Sequence, residues 1–579
     1  MPGMLKMPQK DALQTQTETI SGAEAVMRSL IEEGTETIFG YPGGAIMPIY
    51  DALYDYQQQI RHILVRHEQC AVHSAQGYAR ASGKMAVVMA TSGPGATNLV
   101  TGLADAMIDS TPMVCITGQV PGALLGTDAF QESDVISLTM PVTKWNFQIT
   151  DPTEIPEVMA KAFYVARSGR PGPVLVDITK DAQLKRFEYS GYHPCHQVRS
   201  YRPKPIIRKA YIEEAAQLIN QAKKPLVIWG QGVLLGGAEE EFQTFVEKGG
   251  FPAAWTIMGL SALPTDHPQN VGMLGMHGNY APNVMTNECD VLIAIGMRFD
   301  DRVTGNLNKY AKQAKIIHLD IDPAEIDKNV PTTVAVWGDC KETIPMLTER
   351  IEEKSHARWL ATFRKLEEKE QTQVINEELK PETGLLTMGE VVRVINEVDK
   401  GEAIIVSDVG QHQMVACRYF EFNHSRSKIT SGGLGTMGFA LPAAIGAKLG
   451  SPERKVIAVI GDGGFQMTLQ ELGTIMQEKV DVKILILNNN YLGMVRQWQE
   501  MFHDNRYSFV DIQSPDFVAI AKGYQVPGET VAEREGLVPA VQRFLDSEGS
   551  YLLEVMVGRE NNVFPFVPPG AGVAEIRLQ

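Results

Sequence analysis

The chain has 579 residues, 44% hydrophobic and 21% charged, a composition of ordinary globular protein that excludes a disordered or fibrous chain. That length exceeds what one core can fill and implies roughly three to five domains. The net charge of −16 argues against nucleic acid or an anionic membrane as the main partner, because surfaces that bind phosphate backbones are basic.

Residues 1–18 lack the apolar core of a signal peptide and are expected to form a flexible tail. The six cysteines make no CxxC pair, so structural zinc and a disulfide framework are not expected, and a reducing, cytoplasmic compartment is. No apolar run approaches the ~18 residues of a membrane span. In residues 19–181, Ser21 and Glu24 read as a capping box before a helix that stops at Gly34. TIFG, AVVMAT (Ala86–Thr91), MVCIT and PVLVDI read as strands, SGPGATN as a turn and LVTGLADAMID as a helix. Residues 182–208, rich in Tyr, Pro, Arg and His, are expected to be a linker. Residues 209–345 carry the strands PLVIW, DVLIAIG and KIIHLDI, and 346–383 a charged helical connector. Residues 384–558 carry AIIVSD, KVIAVIGDGG, VKILILNNN and LLEVMV, and the Pro- and Gly-rich 559–579 read as a tail able to act as a lid. Short β-branched runs alternating with amphipathic stretches predict an α/β protein with three doubly wound parallel-sheet domains. The first and third segments share a rhythm that suggests a duplicated fold.

The strongest chemical signal is Gly461-Asp462-Gly463-Gly464 after one strand, with Asn489 after the next. Ligands of doubly wound sheets bind at the carboxyl ends of strands, which would bring Asp462 and Asn489 together. The glycines allow a close approach to phosphate, and a helix expected to begin near Thr468 would add its positive end. A carboxylate, an amide oxygen and backbone carbonyls form a hard oxygen set suited to Mg²⁺ on a diphosphate. A GDGG alone is more often a tight strand–helix turn; the paired strands favour the site.

With FGYPGGAI, RHEQCAVHSAQGYAR, TSGPGATN, GTDAFQE, SGRPGPVLVDITKD, GMHG, MRFDDRVTG, DVGQHQM, GLGTMGFALPAAIGA and NNNYLGMVRQWQ, residues 19–570 resemble the thiamine diphosphate enzymes. Within them the chain is most similar to the acetohydroxyacid synthase family. The resemblance makes 19–181 the pyrimidine-binding domain, 209–345 an FAD-binding domain and 384–558 the domain for diphosphate and Mg²⁺. It implies that Glu68 is the catalytic glutamate, a carboxyl that hydrogen-bonds the coenzyme's pyrimidine nitrogen and makes the coenzyme's own amine a base. An isolated His-Glu pair is otherwise more often a surface glutamate. Gly410, Gln411 and His412 match the diphosphate loop, Gly435 a carbonyl facing the amine, and Met437 the apolar wedge under the coenzyme, although Met is more often plain core. Tyr491 aligns with a metal ligand acting through its backbone carbonyl, so the metal set is Asp462, Asn489 and Tyr491. Leu492, Gly493 and Met494 continue the coenzyme site.

The resemblance places FAD against Arg170, Gly230, Gln231 and Gly232, then Met276, His277 and Gly278. It extends to Gly296, Arg298, Asp300 and Arg302, and to Asp320, Ile321 and Asp339. Arginine and close glycines suit a pyrophosphate, and a carboxylate suits a ribose hydroxyl. No GxGxxG is present, and in the family the flavin takes no net redox part. Arg302 would hold the acceptor's carboxylate and Trp498 pack its alkyl group; the alternatives are a surface charge cluster and a packing Trp. Phe130, Gln131, Lys180 and Gly44 align with residues lining the same cleft. Ser74 and Cys70 depart from the apolar and small residues expected there.

The activity implied is decarboxylation of pyruvate and condensation of the hydroxyethyl carbanion with pyruvate or 2-oxobutyrate. The products, 2-acetolactate and 2-aceto-2-hydroxybutyrate, begin branched-chain amino acid synthesis. A homodimer or homotetramer and a small regulatory subunit are expected partners. The alternatives are a flavin-dependent pyruvate oxidase, another carboligase of the same fold, and a non-enzymatic scaffold, which the intact Glu68, Asp462, Asn489 and Met437 argue against.

Overall fold

A computed structural model describes residues 18–579. The tail expected at 1–18 lies outside the described residues, except for Glu18, which opens strand β1 (Glu18–Ser21). The helix Gly22–Glu32 follows, with Ser21 Oγ accepting from the Glu24 amide as the sequence predicts.

Three six-stranded parallel sheets organise the described residues. The first is built from β2 (Thr37–Gly40), β3 (Arg61–Leu64), β4 (Ala86–Ala90), β5 (Met113–Gln119), β6 (Trp145–Ile149) and β7 (Pro173–Thr179), in the order β3-β2-β4-β5-β7-β6. The expected linker at 182–208 does not start where the sequence suggests. Strand β8 (Arg186–Tyr189) returns to pair antiparallel with β1, so the first unit keeps the chain through Tyr189. A four-residue edge pair carries too little apolar periodicity to be read from sequence.

The middle sheet contains β9 (Pro225–Trp229), β10 (Ala253–Trp255), β11 (Asn270–Met273), β12 (Val291–Ile295), β13 (Lys315–Asp320) and β14 (Val334–Trp337), in the order β11-β10-β9-β12-β13-β14. The third contains β15 (Ile404–Ser407), β16 (Lys428–Thr430), β17 (Val456–Gly461), β18 (Lys483–Asn488), β19 (Gly528–Val531) and β20 (Tyr551–Met556), in the order β16-β15-β17-β18-β20-β19. The first and third sheets share one strand order, as a duplicated unit would. Every residue of β17 and β18 is buried, because helices cover both sheet faces; hence the unbroken apolar runs in the sequence.

The first and third units meet along the helices Glu68–Ser82 and Ala440–Gly450. A Cβ on Gly77 would lie 1.8 Å from the Ala443 carbonyl oxygen, and one on Gly446 1.7 Å from that of Ser74. Only glycine permits this backbone contact. Ser74 departs from an apolar residue because its hydroxyl donates to the Pro442 carbonyl at 2.9 Å across the crossing. The connector forms the helix Ala357–Glu370 and runs through a π-helical turn at Gln371–Ile375.

Residues 559–579 are not a free tail. Val567 N donates to Met276 O at 2.8 Å, Asn306 N to Ala571 O at 2.9 Å, and Phe566 and Arg577 exchange backbone hydrogen bonds. The segment is thereby seated on the middle unit. Among the described residues no helix is long and apolar enough to cross a membrane.

Candidate active site

The carboxyl ends of β15, β17 and β18 face those of β9, β12 and β13 across a cavity of about 1120 Å³. Strand ends leave backbone groups unpaired, and the glycine turns that follow them let a ligand approach closely. Asp462 is the first residue past β17. The helix there spans Asp462–Thr468, so it begins at Asp462 itself and not near Thr468 as expected. The turn is this abrupt because Gly464 has no side chain: a Cβ there would lie 2.3 Å from Asp408 Oδ2. Asp462 Oδ2 accepts from Ser514 Oγ at 3.0 Å, and burial pushes its pKa up to about 6. A carboxylate this desolvated, offset only by hydrogen bonds, suits a cation as a further partner. Asn489 holds the next turn, its Oδ1 accepting from Tyr491 N at 3.1 Å.

Gly410, Gln411 and His412 enter from the end of β15. Gly410 (φ 149°) and Gly461 flank the imidazole: a Cβ on either would come within 2.9 Å of His412 Cε1. His412 Nε2 is buried without a protein partner, and burial depresses the ring's pKa to about 3. A neutral imidazole with an orphaned nitrogen in a glycine-lined cavity fits a polar ligand group. Gly435 (φ 70°), Met437, Gly463, Leu492, Gly493 and Met494 complete this lining. The loop carrying Gly435 and Met437 hangs on two acids that sequence reasoning missed. The Asp109 oxygens accept from the amides of Gly432 (2.8 Å) and Gly433 (2.7 Å), with Arg80 at 3.0 Å behind. Asp105 Oδ1 accepts from Ser431 Oγ at 2.6 Å. Both acids sit in or beside the helix Val100–Ile108, where an isolated Asp reads as solvated surface.

The other end of the cavity lies over the middle sheet. Gly230, Gln231, Gly232 and Gly296 line it, and a Cβ on Gly232 would lie 2.5 Å from the Gly296 Cα. Arg170 reaches in from the first unit, 2.7 Å from Glu325 and 3.3 Å from Asp322. Asp320 ends β13, accepts from the Asp322 amide at 2.8 Å, and is pushed up to about 7 by burial. Ile321, Arg298, Asp300 and Asp339 also line this end; Asp300 and Asp339 are partly spent capping the helices after them. The Asp300 carboxylate also lies 3.6 Å from Arg298 Nε. Met276 and His277 face the cavity, but Gly278 does not, because it packs on β11, where a Cβ would lie 2.4 Å from Met273 O.

Arg302 and Trp498 line both this cavity and an adjoining chamber of about 240 Å³ bounded by Val567–Gly570. Arg302 Nη1 lies 3.6 Å from Met276 Sδ and 3.7 Å from Asp301, so its guanidinium is largely free. Trp498 shares the cavity with Met494, one helical turn earlier. The indole packs on Phe502 and on Phe566 of the C-terminal segment, with ring centroids 5.4 and 6.1 Å away.

None of Glu68, Gly44, Phe130, Gln131 and Lys180 lines the cavity. They gather instead at the carboxyl ends of the first sheet. Glu68 opens its helix, and its Oε2 accepts from Asn98 Nδ2 at 3.0 Å. Gln131 (φ 59°) packs on the SGPG turn, where a Cβ on Gly93 would lie 2.9 Å from its carbonyl oxygen. Gly44 follows β2, Lys180 follows β7, and Phe130 is 88% exposed. The candidate residues thus fall into two separated groups within one chain. Among the described residues no group of three His, Cys, Asp or Glu could hold a metal.

Three family models match the chain. They are the N-terminal TPP-binding domain of the thiamine pyrophosphate enzymes at residues 20–138, the central domain at 212–347 and the C-terminal TPP-binding domain at 408–555. A probable acetolactate synthase large subunit of Methanocaldococcus jannaschii is 45% identical over 565 residues, covering 96% of this chain and 95% of the relative. The acetolactate synthase large subunit of Corynebacterium glutamicum is 44% identical over 572 residues, 97% and 90% of the two chains. The acetolactate synthase isozyme 2 large subunit of Escherichia coli is 43% identical over 558 residues, 96% and 99% of the two chains.

Proposed function

The chain belongs to the acetolactate synthase large subunits of the thiamine pyrophosphate enzyme family, and from that premise we propose how its two half-sites form one active site. It is a transferase that uses thiamine diphosphate. The names of the relatives favour the synthase over the flavin-dependent pyruvate oxidase. The reaction is decarboxylation of pyruvate and transfer of the remaining two-carbon unit to pyruvate or 2-oxobutyrate.

Bound thiamine diphosphate supplies the nucleophilic carbon and the electron sink for decarboxylation. Asp462, the Asn489 side chain and the Tyr491 carbonyl would hold Mg²⁺, and the Gly410–His412 turn would hold the diphosphate. His412 Nε2, lacking a partner, is a ready diphosphate contact. Met437 and Gly435, on a loop clamped by Asp109, would line the coenzyme's site. Glu68 holds a proton between its carboxyl and the coenzyme's pyrimidine nitrogen, and Asn98 fixes which oxygen stays free to do so. Gln131, Gly44 and Lys180 close the substrate's side of the cleft. Arg302 pairs with the acceptor's carboxylate and Trp498 packs its alkyl group. The Arg170–Gly230–Asp320 end would hold FAD, which the condensation, having no net redox change, does not need for electron transfer. The donor set fits it: an arginine, touching glycines and a buried carboxylate.

The observation that carries this reading is the separation of Glu68 from the Asp462 cavity within one chain. Two copies in a closed dimer supply each other's missing half. The relatives are named large subunits, which supports a smaller regulatory chain as a further partner. The test is acetolactate formation from pyruvate with thiamine diphosphate and Mg²⁺. Glu68→Gln and Asp462→Ala each abolish it if both half-sites belong to one active site; full activity of either variant contradicts the assignment.

A further inference from the structure

The reaction has no use for the ion pair Glu370–Arg418, yet its side chains are 1% and 0% exposed. Burying two charges is costly, and an apolar pair of similar volume often stabilises a fold better. What this pair provides is a set of fixed bonds. Glu370 Oε2 accepts from the Tyr280 amide at 2.6 Å, and Oε1 accepts from Asn279 Nδ2 at 3.1 Å and from Arg418 Nη2. Arg418 Nη1 donates to the Phe564 carbonyl, while its Nε is buried without a partner. Four segments are tied at one point: the end of the connector helix just before its π-helical turn, the chain after Met276-His277, the helix that begins at Gln411, and the C-terminal segment.

Two of these segments, the one carrying Met276 and the C-terminal one, reach the smaller chamber within a few residues. Beyond Phe564, the ring of Phe566 packs on Trp498 (6.1 Å), Phe502 (6.0 Å) and His277 (5.2 Å). Val567 then bonds Met276, and both residues line the smaller chamber with Arg302 and Trp498. The segment expected from sequence to be a free tail is thus held at two points on either side of Phe566, one of them Arg418.

We propose that the buried Glu370–Arg418 pair is a positioning element for substrate choice, holding Phe566 and Met276 against Trp498 so that the acceptor wall keeps its shape. This rests on Trp498 being that wall. A pair that only stabilised the fold would leave the choice of acceptor unchanged.

The test uses the full-length enzyme with thiamine diphosphate, Mg²⁺ and FAD, pyruvate as donor, and pyruvate and 2-oxobutyrate as competing acceptors. Glu370→Gln removes the charge that faces Arg418. It is expected to lower the ratio of 2-aceto-2-hydroxybutyrate to 2-acetolactate about threefold or more, because small displacements of a positioned wall act directly on selectivity. The double variant Glu370→Leu/Arg418→Met is expected to remain folded with a somewhat lowered melting temperature yet keep the lowered ratio, since it fills the space but leaves the Phe564 carbonyl and Tyr280 amide without their bonds. A wild-type ratio in either variant overturns the proposal, and failure of both to fold does so too, because the pair is then a stability element. Trp498→Leu in the same assay separates the two readings. If it moves the ratio and Glu370→Gln does not, only the positioning role falls; if it does not move the ratio, the wall itself is misassigned.

Discussion

Replacing Trp498 with leucine removes the indole from the boundary of the two chambers while keeping an apolar residue on the helix Gly493–Phe502. The two acceptors differ by one methylene, so the indole's contribution to choosing between them is bounded by what one methylene can gain. Burial alone is worth ~0.8 kcal/mol, about fourfold. Contact with a rigid flat ring raises that to ~1–2 kcal/mol, about five- to thirtyfold. The ring is held rigid by Phe502 and Phe566 at 5.4 and 6.1 Å, which supports the upper part of that range. Trp498→Leu should therefore cut the preference for 2-oxobutyrate about tenfold. Consumption of pyruvate alone should stay within a few-fold of wild type, because the donor's bond cleavage does not touch this wall. Both products are quantified from one competition mixture, so no absolute rate is needed. Equal loss of both products with a lowered melting temperature would refute the reasoning and make Trp498 a packing residue.

Other outcomes follow from the same geometry. Gly446→Ala would push a methyl to within 1.7 Å of the Ser74 carbonyl oxygen, and with two backbones and no flexible side chain to yield, it should destabilise by ~3 kcal/mol or more, read as a lowered melting temperature; a wild-type melt would contradict the helix crossing. His73 is fully buried and depressed to about 3 by desolvation, with Arg80 adding repulsion; the facing Asp105, 3.6 Å away, is itself pushed upward by burial. The unfolded chain takes up a proton below the ordinary histidine pKa of 6.5 that the fold refuses, so this group's contribution is intact above that pH and declines as pH falls toward 3. Between pH 6.5 and 5 wild type should lose ~2 kcal/mol relative to His73→Gln, and a gap in melting temperature that does not change with pH would contradict this. Asp462→Ala removes the charged oxygen from a site with no cluster of acids to replace it, so thiamine diphosphate titration with Mg²⁺ should weaken by at least about a hundredfold, and an unaltered titration would remove Asp462 from the site.

Much of the fold could be read in advance wherever a strand is buried on both faces. PLVIW, KVIAVI and KILIL are unbroken apolar runs because helices cover them on either side. The short strands Ala253–Trp255, inside the middle sheet, and Val334–Trp337, at its edge, and the pair Glu18–Ser21 with Arg186–Tyr189 were not legible, since three or four residues carry no usable period. At the site, Asp462 and Asn489 stood out because each follows a strand directly. Asp105, Asp109 and Glu370 did not: an acid in an amphipathic or charged helix looks solvated, and only the tertiary fold shows that a hydroxyl (Ser431, for Asp105) or backbone amides (Gly432 for Asp109, Tyr280 for Glu370) from distant segments cover it. The C-terminal residues read as a tail because Pro and Gly hide the backbone pairing that seats them on the middle unit.

The central claim is that each active site combines Glu68 of one chain with Asp462 of another. It is tested most directly by mixing Glu68→Gln and Asp462→Ala chains, each inactive alone, and measuring acetolactate. In a mixed pair one site receives both intact residues and the other receives neither. Free exchange of equal amounts should restore about a quarter of wild-type activity, rising to about half if only mixed pairs form. No recovery despite demonstrated subunit exchange, or a fully active monomer, would contradict the account.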